Sequence, residues 1–371
     1  MEKLQKGVCF LPIAVGIASL FAGCHSCQWP VSSSLEESLR DVRERAKREA
    51  AERAKLPIPE PPPPQLALDP LYFAARMGKE EIIKLFSLSK EDLDINKSRW
   101  FGQTLLHAAI DGGDPEVVEV LLRLGADPAI KDQKGDTGVH AAARSGNLTI
   151  LTHMLEKLSQ QKKKRLLSTP NFFGETPLHL AVRFGVSEVI NLLLQHGSVV
   201  TFRVTNGGTA WHKAAEEGVV ASIRTLAAWD KTYVDVQDHL GHTPLHVAAA
   251  GGAVPVIEEL KLQGAELESR DSLGYTALHL ACNNNQQDAV VALLQLGANP
   301  NAQDARDRTP LHVVAQYGWV DLVSHLLQWG ADPRIQDIHG KTPLDLARRF
   351  QHKKTAAVLR KASSHGKGVS P

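Results

Sequence analysis

The chain has 371 residues, and 43% of them are hydrophobic, which is ample for a folded core. Its 42 basic and 41 acidic side chains nearly balance, so nucleic acid is not expected as the general partner, because that binding depends on neutralising phosphates. Four cysteines are too few to form a disulfide framework in a chain of this length.

The first 23 residues have the pattern of an export signal. Two lysines precede a mainly apolar run, 8–21, that is too short to span a bilayer. Ala22 and Gly23 then stand directly before Cys24, which resembles the lipobox of bacterial lipoproteins. That resemblance implies a signal peptide over 1–23, lipidation of Cys24 and a location on an envelope membrane. An ordinary signal peptide cut near Ala22 is the alternative.

The residue after the cysteine bears on which membrane would hold the anchor. His25 stands where some bacterial lipoproteins have the aspartate that is linked with inner-membrane retention. By that resemblance the outer membrane is favoured over the inner one, with the rest of the chain in the periplasm or at the surface.

Residues 24–67 are predicted to form a stalk. The segment 34–55 opens with a capping box at Ser34 and carries four acid-before-base pairs spaced four residues apart, which favour a helix. Its thin apolar stripe is compatible with a solvated single helix or with a short coiled-coil seam. Six prolines within 57–64 predict a stiff polyproline II spacer. Helix and spacer together would reach on the order of 50 Å.

An eight-residue motif, Gly-x-Thr-x-Leu-His-x-Ala or a near copy, recurs through the rest of the chain. Thr-Pro suits a helix start, because the hydroxyl can cap the helix and proline lacks an N–H that would be unpaired there. A glycine ends this helix, and a second helix with apolar residues at helical spacing follows. Separations of 33, 39, 33, 34, 33, 33 and 33 residues join the threonines Thr104, Thr137, Thr176, Thr209, Thr243, Thr276, Thr309 and Thr342.

This motif and period resemble the ankyrin-repeat family over residues 68–363. The resemblance implies an all-α solenoid of helix-turn-helix units joined by short β-hairpin-like turns. The first unit and the last one, with Asp345 in the histidine position, would be the caps, and 364–371 a disordered tail. The nine units are 68–100, 101–133, 134–172, 173–205, 206–239, 240–272, 273–305, 306–338 and 339–363.

The one long separation holds six extra residues around the basic run Lys162 to Arg165. Insertions in repeat arrays fall in loops or helix extensions on one face. We expect a solvated loop here. Contact of the basic run with lipid head groups or with an acidic partner is the alternative.

No catalytic, metal or cofactor site is expected. Motifs of nucleophilic hydrolases, zinc proteases and phosphate-binding loops do not occur in the sequence. The cluster from His239 to His246 could bind zinc, but a glycine turn separates those two rings. Cys24 and Cys27 form a C-x-x-C pattern, yet lipidation would consume the first thiol. A structural role in fixing the turn to the helix is predicted for His107, His140, His179, His212, His246, His279 and His312.

Ankyrin-like proteins bind other proteins with their hairpin tips and with the ends of their first helices, which line the concave side. By that resemblance the tip candidates are Trp100, Phe101, Lys134, Phe172, Phe173, His239, Leu240, Leu273 and Tyr275. The helix-end candidates are Arg144, Arg183, Phe184, Glu216, Glu217, Asn283, Asn284, Gln316 and Tyr317. Aromatic residues and arginine are favoured at interface hot spots. Packing of some of these rings on a neighbouring hairpin is the alternative.

The sequence therefore predicts a non-catalytic scaffold that is tethered to a bacterial envelope membrane and binds a protein on its concave face. It predicts neither a nucleic-acid partner nor a small-molecule substrate. Two alternatives are a secreted effector that engages host proteins and an accessory or inhibitory subunit of an envelope enzyme.

Overall fold

The computed structural model describes residues 70–79 and 94–365. The predicted signal peptide, Cys24 and the stalk lie outside these residues. The described part contains eighteen α-helices, two short 3-10 turns (Trp100–Gly102 and Lys231–Tyr233) and no β-strand.

The helices alternate between two rows. The first helices of the units are Pro70–Arg76 (α1), Leu105–Gly112 (α2), Gly138–Ser145 (α4), Pro177–Phe184 (α7), Ala210–Glu216 (α9), Pro244–Gly251 (α11), Ala277–Asn283 (α13), Pro310–Tyr317 (α15) and Pro343–Arg349 (α17). The second helices are Pro115–Arg123 (α3), Leu148–Lys157 (α5), Ser187–Gln195 (α8), Val220–Asp230 (α10), Val254–Leu262 (α12), Gln287–Gln295 (α14), Val320–Gln328 (α16) and Lys353–His365 (α18). One further helix, Gln160–Ser168 (α6), lies between α5 and α7.

Local chemistry sets both ends of the first helices. Thr243 is the N-cap of α11, and its hydroxyl accepts a hydrogen bond from the His246 N–H at 3.5 Å. Gly252 ends that helix in the left-handed region, at φ 74°. Asn285 occupies the corresponding place after α13 with φ 55°, as the sequence predicts for the residue type that tolerates this conformation next best.

Neighbouring units pack helix against helix, so that each first helix contacts the first helices before and after it. The buried side chains form one continuous apolar core from Leu71 to Leu359, and Trp211 in the middle of the array is fully buried. Because one unit cannot bury its own apolar faces, the units depend on their neighbours, as in a solenoid. The predicted all-α solenoid is confirmed.

The turns between units form hairpins whose tips are bonded to each other. In one hairpin the Asp238 N–H donates to the His242 carbonyl at 2.9 Å, and the Gly241 N–H donates to the Asp238 carbonyl at 3.1 Å. We call the backbone bonds between successive tips the tip ladder. Its members are Gln133 N–H to Phe101, Phe172 to Lys134, His239 to Asn206, Ser272 to Leu240, Ala305 to Leu273 and Ile338 to Arg306, at 2.9–3.2 Å.

Helix α6 corrects the prediction of a solvated loop around the basic run. The inserted residues form a nine-residue helix that Ser159 caps by accepting from the Lys162 N–H at 3.4 Å. Leu166 and Leu167 are buried and belong to the continuous core. The insertion is therefore helical because two leucines at its end anchor it to the array.

The C-terminal helix runs further than expected. Helix α18 ends at His365, so the first two residues of the predicted tail 364–371 are helical, and the remaining six lie outside the described residues. No helix among the described residues is long and apolar enough to cross a membrane.

Candidate functional site

In six of the seven internal units a histidine joins that unit to the next. In α11, Nδ1 of His246 accepts from the Thr243 N–H at 3.1 Å and lies 2.9 Å from the Thr243 hydroxyl oxygen. Its Nε2 lies 2.9 Å from the Tyr275 carbonyl of the following unit, to which it donates. Because Nδ1 accepts a backbone N–H, the ring proton belongs on Nε2. The contacts agree with the predicted structural role of these histidines.

Six of the seven rings make this second bond. The carbonyls that accept it belong to Asp136, Glu175, His242, Tyr275, Arg308 and Lys341. The ring of His179 instead lies edge-on to Phe202, with 6.3 Å between centroids. Burial lowers the pKa of both His179 and His279 to about 4, so the rings are neutral at pH 7 and unsuited to proton transfer there.

The predicted tip residues include the most exposed aromatic side chains of the described residues. Phe172 and Phe173 are 68% and 60% exposed. Phe101, on an earlier tip, and Phe184, at the end of α7, are also exposed. Leu240 continues this row on a later tip. Large apolar side chains left in water along one edge are typical of a surface that another molecule covers.

A cavity of about 280 Å³ lies among these tips and the ends of α2 and α4. It brings together three predicted residues, Phe101, Lys134 and Arg144. Arg144 is held in place because it donates to Asp136 at 2.5 Å and to Asp111 at 3.3 Å. The remaining lining residues are Gln103, Asp111, Asp132 and Gln133. The cavity therefore presents one ring and charges of both signs.

Charged residues at the ends of α7 and α9 form a network across two units. Arg183 Nε lies 2.9 Å from a Glu217 carboxylate oxygen, and Lys213 Nζ lies 3.0 Å from Glu217 and 3.1 Å from Glu216. Burial lowers the pKa of Lys213, but the two glutamates outweigh it and raise that pKa. The structure thus joins Arg183 to the predicted residues Glu216 and Glu217 of the next unit, although ion pairs that water still reaches contribute little to stability.

The predicted residues Tyr275 and Tyr317 are half-buried and pack within the array, which agrees with the alternative that some of these rings pack on neighbouring residues. The Tyr275 ring stacks on His279 at 5.4 Å, and its hydroxyl accepts from Arg308 at 2.5 Å. The Tyr317 ring stacks on Trp319 at 4.8 Å. These two rings offer edges rather than whole faces to a partner.

Four further predicted residues contact neighbouring units or tips, whereas the side chains of His239 and Leu273 are exposed on their tips. The Trp100 ring stacks on Phe101, and the Gln316 carbonyl accepts from His352 at 2.9 Å. Asn283 accepts from the Tyr317 hydroxyl at 3.3 Å, and the Asn284 amide donates to the Ala250 carbonyl at 3.0 Å. Asn283 and Asn284 therefore bond across unit boundaries through their side chains, and Gln316 does so through its backbone.

Two surface residues escaped the sequence analysis. Ile338 is exposed at the last hairpin, two places before its glycine, in the register that Phe172 occupies on its own hairpin. Arg308 pairs with Asp304 at 2.9 Å beside Tyr275. The sequence pattern predicts both positions. Ile338 stands two residues before a tip glycine, and Asp307, at φ 57°, takes the place of the tip glycine before Arg308.

The histidine cluster is an ion-pair site. His242 Nδ1 lies 3.5 Å from Asp238 of its own hairpin, and its Nε2 lies 3.4 Å from Asp271 of the next hairpin. Burial alone would lower the pKa of His242, but hydrogen bonds and charge from the two aspartates raise it to about 9. The imidazolium therefore bridges two hairpins. The described residues contain no group of three or more ligand side chains that could hold a metal ion.

Fold and surface together define an ankyrin-type solenoid, whose extended concave surface serves as a protein-binding scaffold. A three-copy ankyrin-repeat family model matches residues 71–165, 139–238 and 211–304, and a second one, of many copies, matches 293–347. These matches span well over half of the chain, which belongs to the ankyrin-repeat family.

Animal proteins are among its relatives. The chain is 35% identical to the human B-cell lymphoma 3 protein over 201 residues, which is 53% of this chain and 43% of that protein. It is 32% identical to the Gallus gallus nuclear factor NF-kappa-B p105 subunit over 173 residues, 46% of this chain and 17% of that protein. The chain thus spans less than half the length of these curated relatives.

One solved structure has a similar fold. The crystal structure of the ankyrin repeat domain of Bcl-3, described as a unique member of the IkappaB protein family, aligns with a TM-score of 0.54 and 32% identity. The alignment covers 61% of this chain and 99% of that one.

Proposed function

We propose that this protein is a non-catalytic scaffold that is anchored to a bacterial envelope membrane through Cys24 and captures a protein partner on its tip surface. The tip surface is the row of exposed side chains Phe101, Phe172, Phe173, Phe184 and Leu240. The observation that carries the proposal is the exposure of these apolar side chains on four units of the array.

The tip surface has the composition of an interface hot spot. Exposed phenylalanines lie next to a cavity that holds Lys134 and Arg144, and the ion pairs of Arg183 border them on the other side. Aromatic anchors rimmed by charged groups are the arrangement that contributes most to protein–protein binding. Because the backbone of the tips is held by the ladder, these side chains are pre-organised for a partner.

The membrane anchor is supported by the sequence of residues 1–24. A basic start, a short apolar run and Ala22-Gly23 before Cys24 form the lipoprotein-type signal. A cleaved lipoprotein carries more than one acyl chain, which is what stable anchoring needs. Metabolic labelling with palmitate should mark the intact chain and not the Cys24→Ser variant. Equal labelling of both would contradict the anchor.

Photo-crosslinking in the cell tests the tip surface directly. We expect a photoreactive residue at Phe173 or Leu240 to give a discrete adduct with one protein. The control position is Gln295, which is exposed on the second-helix row in α14 and should give none. Equal adducts at all three positions, or none at Phe173 and Leu240, would contradict binding through the tips.

A further inference from the structure

Helix α6 has a charge pattern that the tip surface does not explain. Lys162, Lys163, Lys164 and Arg165 are consecutive in this nine-residue helix, which has no acidic residue. None of the four forms an ion pair with any of the described residues. The structure therefore holds a block of four uncompensated positive charges.

Two of these charges are unfavourably placed on the helix. Lys162 and Lys163 lie in its first turn, where the helix dipole favours negative charge, whereas Arg165 lies in the last turn. Lys162 and Arg165 are three residues apart, a spacing at which like charges repel. An anionic surface next to α6 would relieve both effects, because it would neutralise the cations at the end of the helix where they cost most.

Lys163 is the strongest sign that α6 faces an anion. Its side chain is only 8% exposed and lies on the same helix face as the buried Leu166 and Leu167, with no hydrogen bond to a described residue. Its Nζ is not among the fully buried unpartnered atoms, so the ammonium group reaches the surface while its stem is buried. Enclosing a lysine that has no carboxylate partner costs free energy of desolvation. Its positive charge adds to that of the three exposed cations.

The exposed face of α6 indicates what kind of anion would bind. Lys162, Lys164 and Arg165 are exposed, and the other exposed residues of the helix are two glutamines and a serine. This face has no aromatic ring for a protein hot spot and none on which nucleic-acid bases could stack. Dense positive charge without specific contacts instead suits a diffuse anionic surface such as lipid head groups.

We propose that α6 docks on an anionic lipid membrane through Lys162, Lys163, Lys164 and Arg165. This inference rests on the proposed anchor, because a lipid anchor and a basic patch act as two signals for one membrane. Since α6 lies outside the tip row, docking there leaves the tip surface free for its partner.

Vesicle binding of an unlipidated chain tests the patch separately from the anchor. The full-length Cys24→Ser protein is mixed with phosphatidylcholine vesicles that contain phosphatidylglycerol and, in parallel, with pure phosphatidylcholine vesicles. Each basic side chain near an anionic surface contributes about fivefold in affinity. The triple variant K162Q/K164Q/R165Q should therefore bind the anionic vesicles about a hundredfold more weakly, and raising the salt should weaken the wild type.

A matched control removes the same charges elsewhere. K353Q/K354Q/R360Q replaces two exposed lysines and one exposed arginine of α18 and should lose less than about fivefold. The conservative variant K162R/K164R/R165K should bind like the wild type, and circular dichroism checks that each variant is folded.

Three results would overturn the proposal. The first is an equal loss in the α6 and α18 variants. The second is equal binding to neutral and anionic vesicles. The third is binding of poly-glutamate without binding to anionic vesicles, which would assign the patch to an acidic protein. All three readouts are independent of lipidation and of the tip partner.

Discussion

At the scale of single residues, the unit-joining histidine explains why the motif recurs. Its ring accepts from the threonine N–H through Nδ1 and donates to the next unit through Nε2, as His279 does at 3.2 and 3.0 Å. The last described unit carries Asp345 in the histidine position, and its carboxylate accepts from the Thr342 N–H at 3.0 Å and hydroxyl at 2.7 Å. Aspartate caps its own helix but cannot donate onward.

We therefore expect His279→Ala to lower the free energy of unfolding by about 2–4 kcal/mol, because it leaves the buried Thr276 N–H without a partner, removes one of the two hydrogen bonds to the Arg308 carbonyl and opens a cavity. Urea unfolding measures this change. His239→Ala is the control, since His239 is exposed and should give a change within about 0.5 kcal/mol. Similar values for the two variants would contradict the linking role.

The same burial makes stability depend on pH. His179 and His279 have folded-state pKa values near 4, below the 6.5 of the unfolded chain, so the unfolded state binds more protons between these values. Their contribution is complete above pH 6.5 and is lost as the pH falls towards 4. We expect the free energy of unfolding to drop by about 3 kcal/mol from pH 6.5 to pH 5. A flat urea midpoint over this range would show that the rings are not buried as described.

At the scale of helices, α6 shows how an insertion joins a repeat array. Two buried leucines fix it, while Lys162, Lys164 and Arg165 are exposed. We expect Leu167→Ala to destabilise the protein by about 2–4 kcal/mol through the cavity it leaves. Lys164→Ala on the exposed face should change stability by less than about 0.5 kcal/mol. The melting temperatures of the two variants test this expectation. An equally small change in both would mean that the inserted residues are a solvated loop.

The repeat helices were predictable from the sequence, whereas α6 was not. Thr-Pro starts and glycine ends are local signals that return every 33 residues, so each copy supports the others. The insertion occurs once, and its basic run obscures the two leucines that decide its burial.

The exposure of the tip rings was also not predictable from the sequence. Phe173 is exposed and Tyr275 is half-buried, because Tyr275 meets Arg308 of the next unit, a contact that spacing along the chain does not reveal.

At the scale of the whole molecule, the array is a one-dimensional stack in which each unit contacts only its neighbours. Destabilisation should therefore stay local. We expect Leu346→Ala in α17 to speed amide hydrogen exchange in α15–α18 and to leave α2–α5 nearly unchanged, because no direct contact joins the two ends. Hydrogen exchange followed by mass spectrometry resolves these segments. A uniform loss of protection along the array would mean that it unfolds as a single unit.

The tip ladder has a consequence for how such a surface can change over time. Its six bonds join backbone atoms only, so outside the tip glycines they do not depend on which side chain a tip carries. A Cβ at Gly102, Gly135, Gly241 or Gly274 would lie 2.5–2.9 Å from the nitrogen of the next tip, so these glycines are fixed. The other exposed tip residues can be exchanged one at a time while the spacing between tips stays the same. Substitutions at these exposed positions can therefore change which partner the array binds, while the backbone positions of the tips and the fold stay the same.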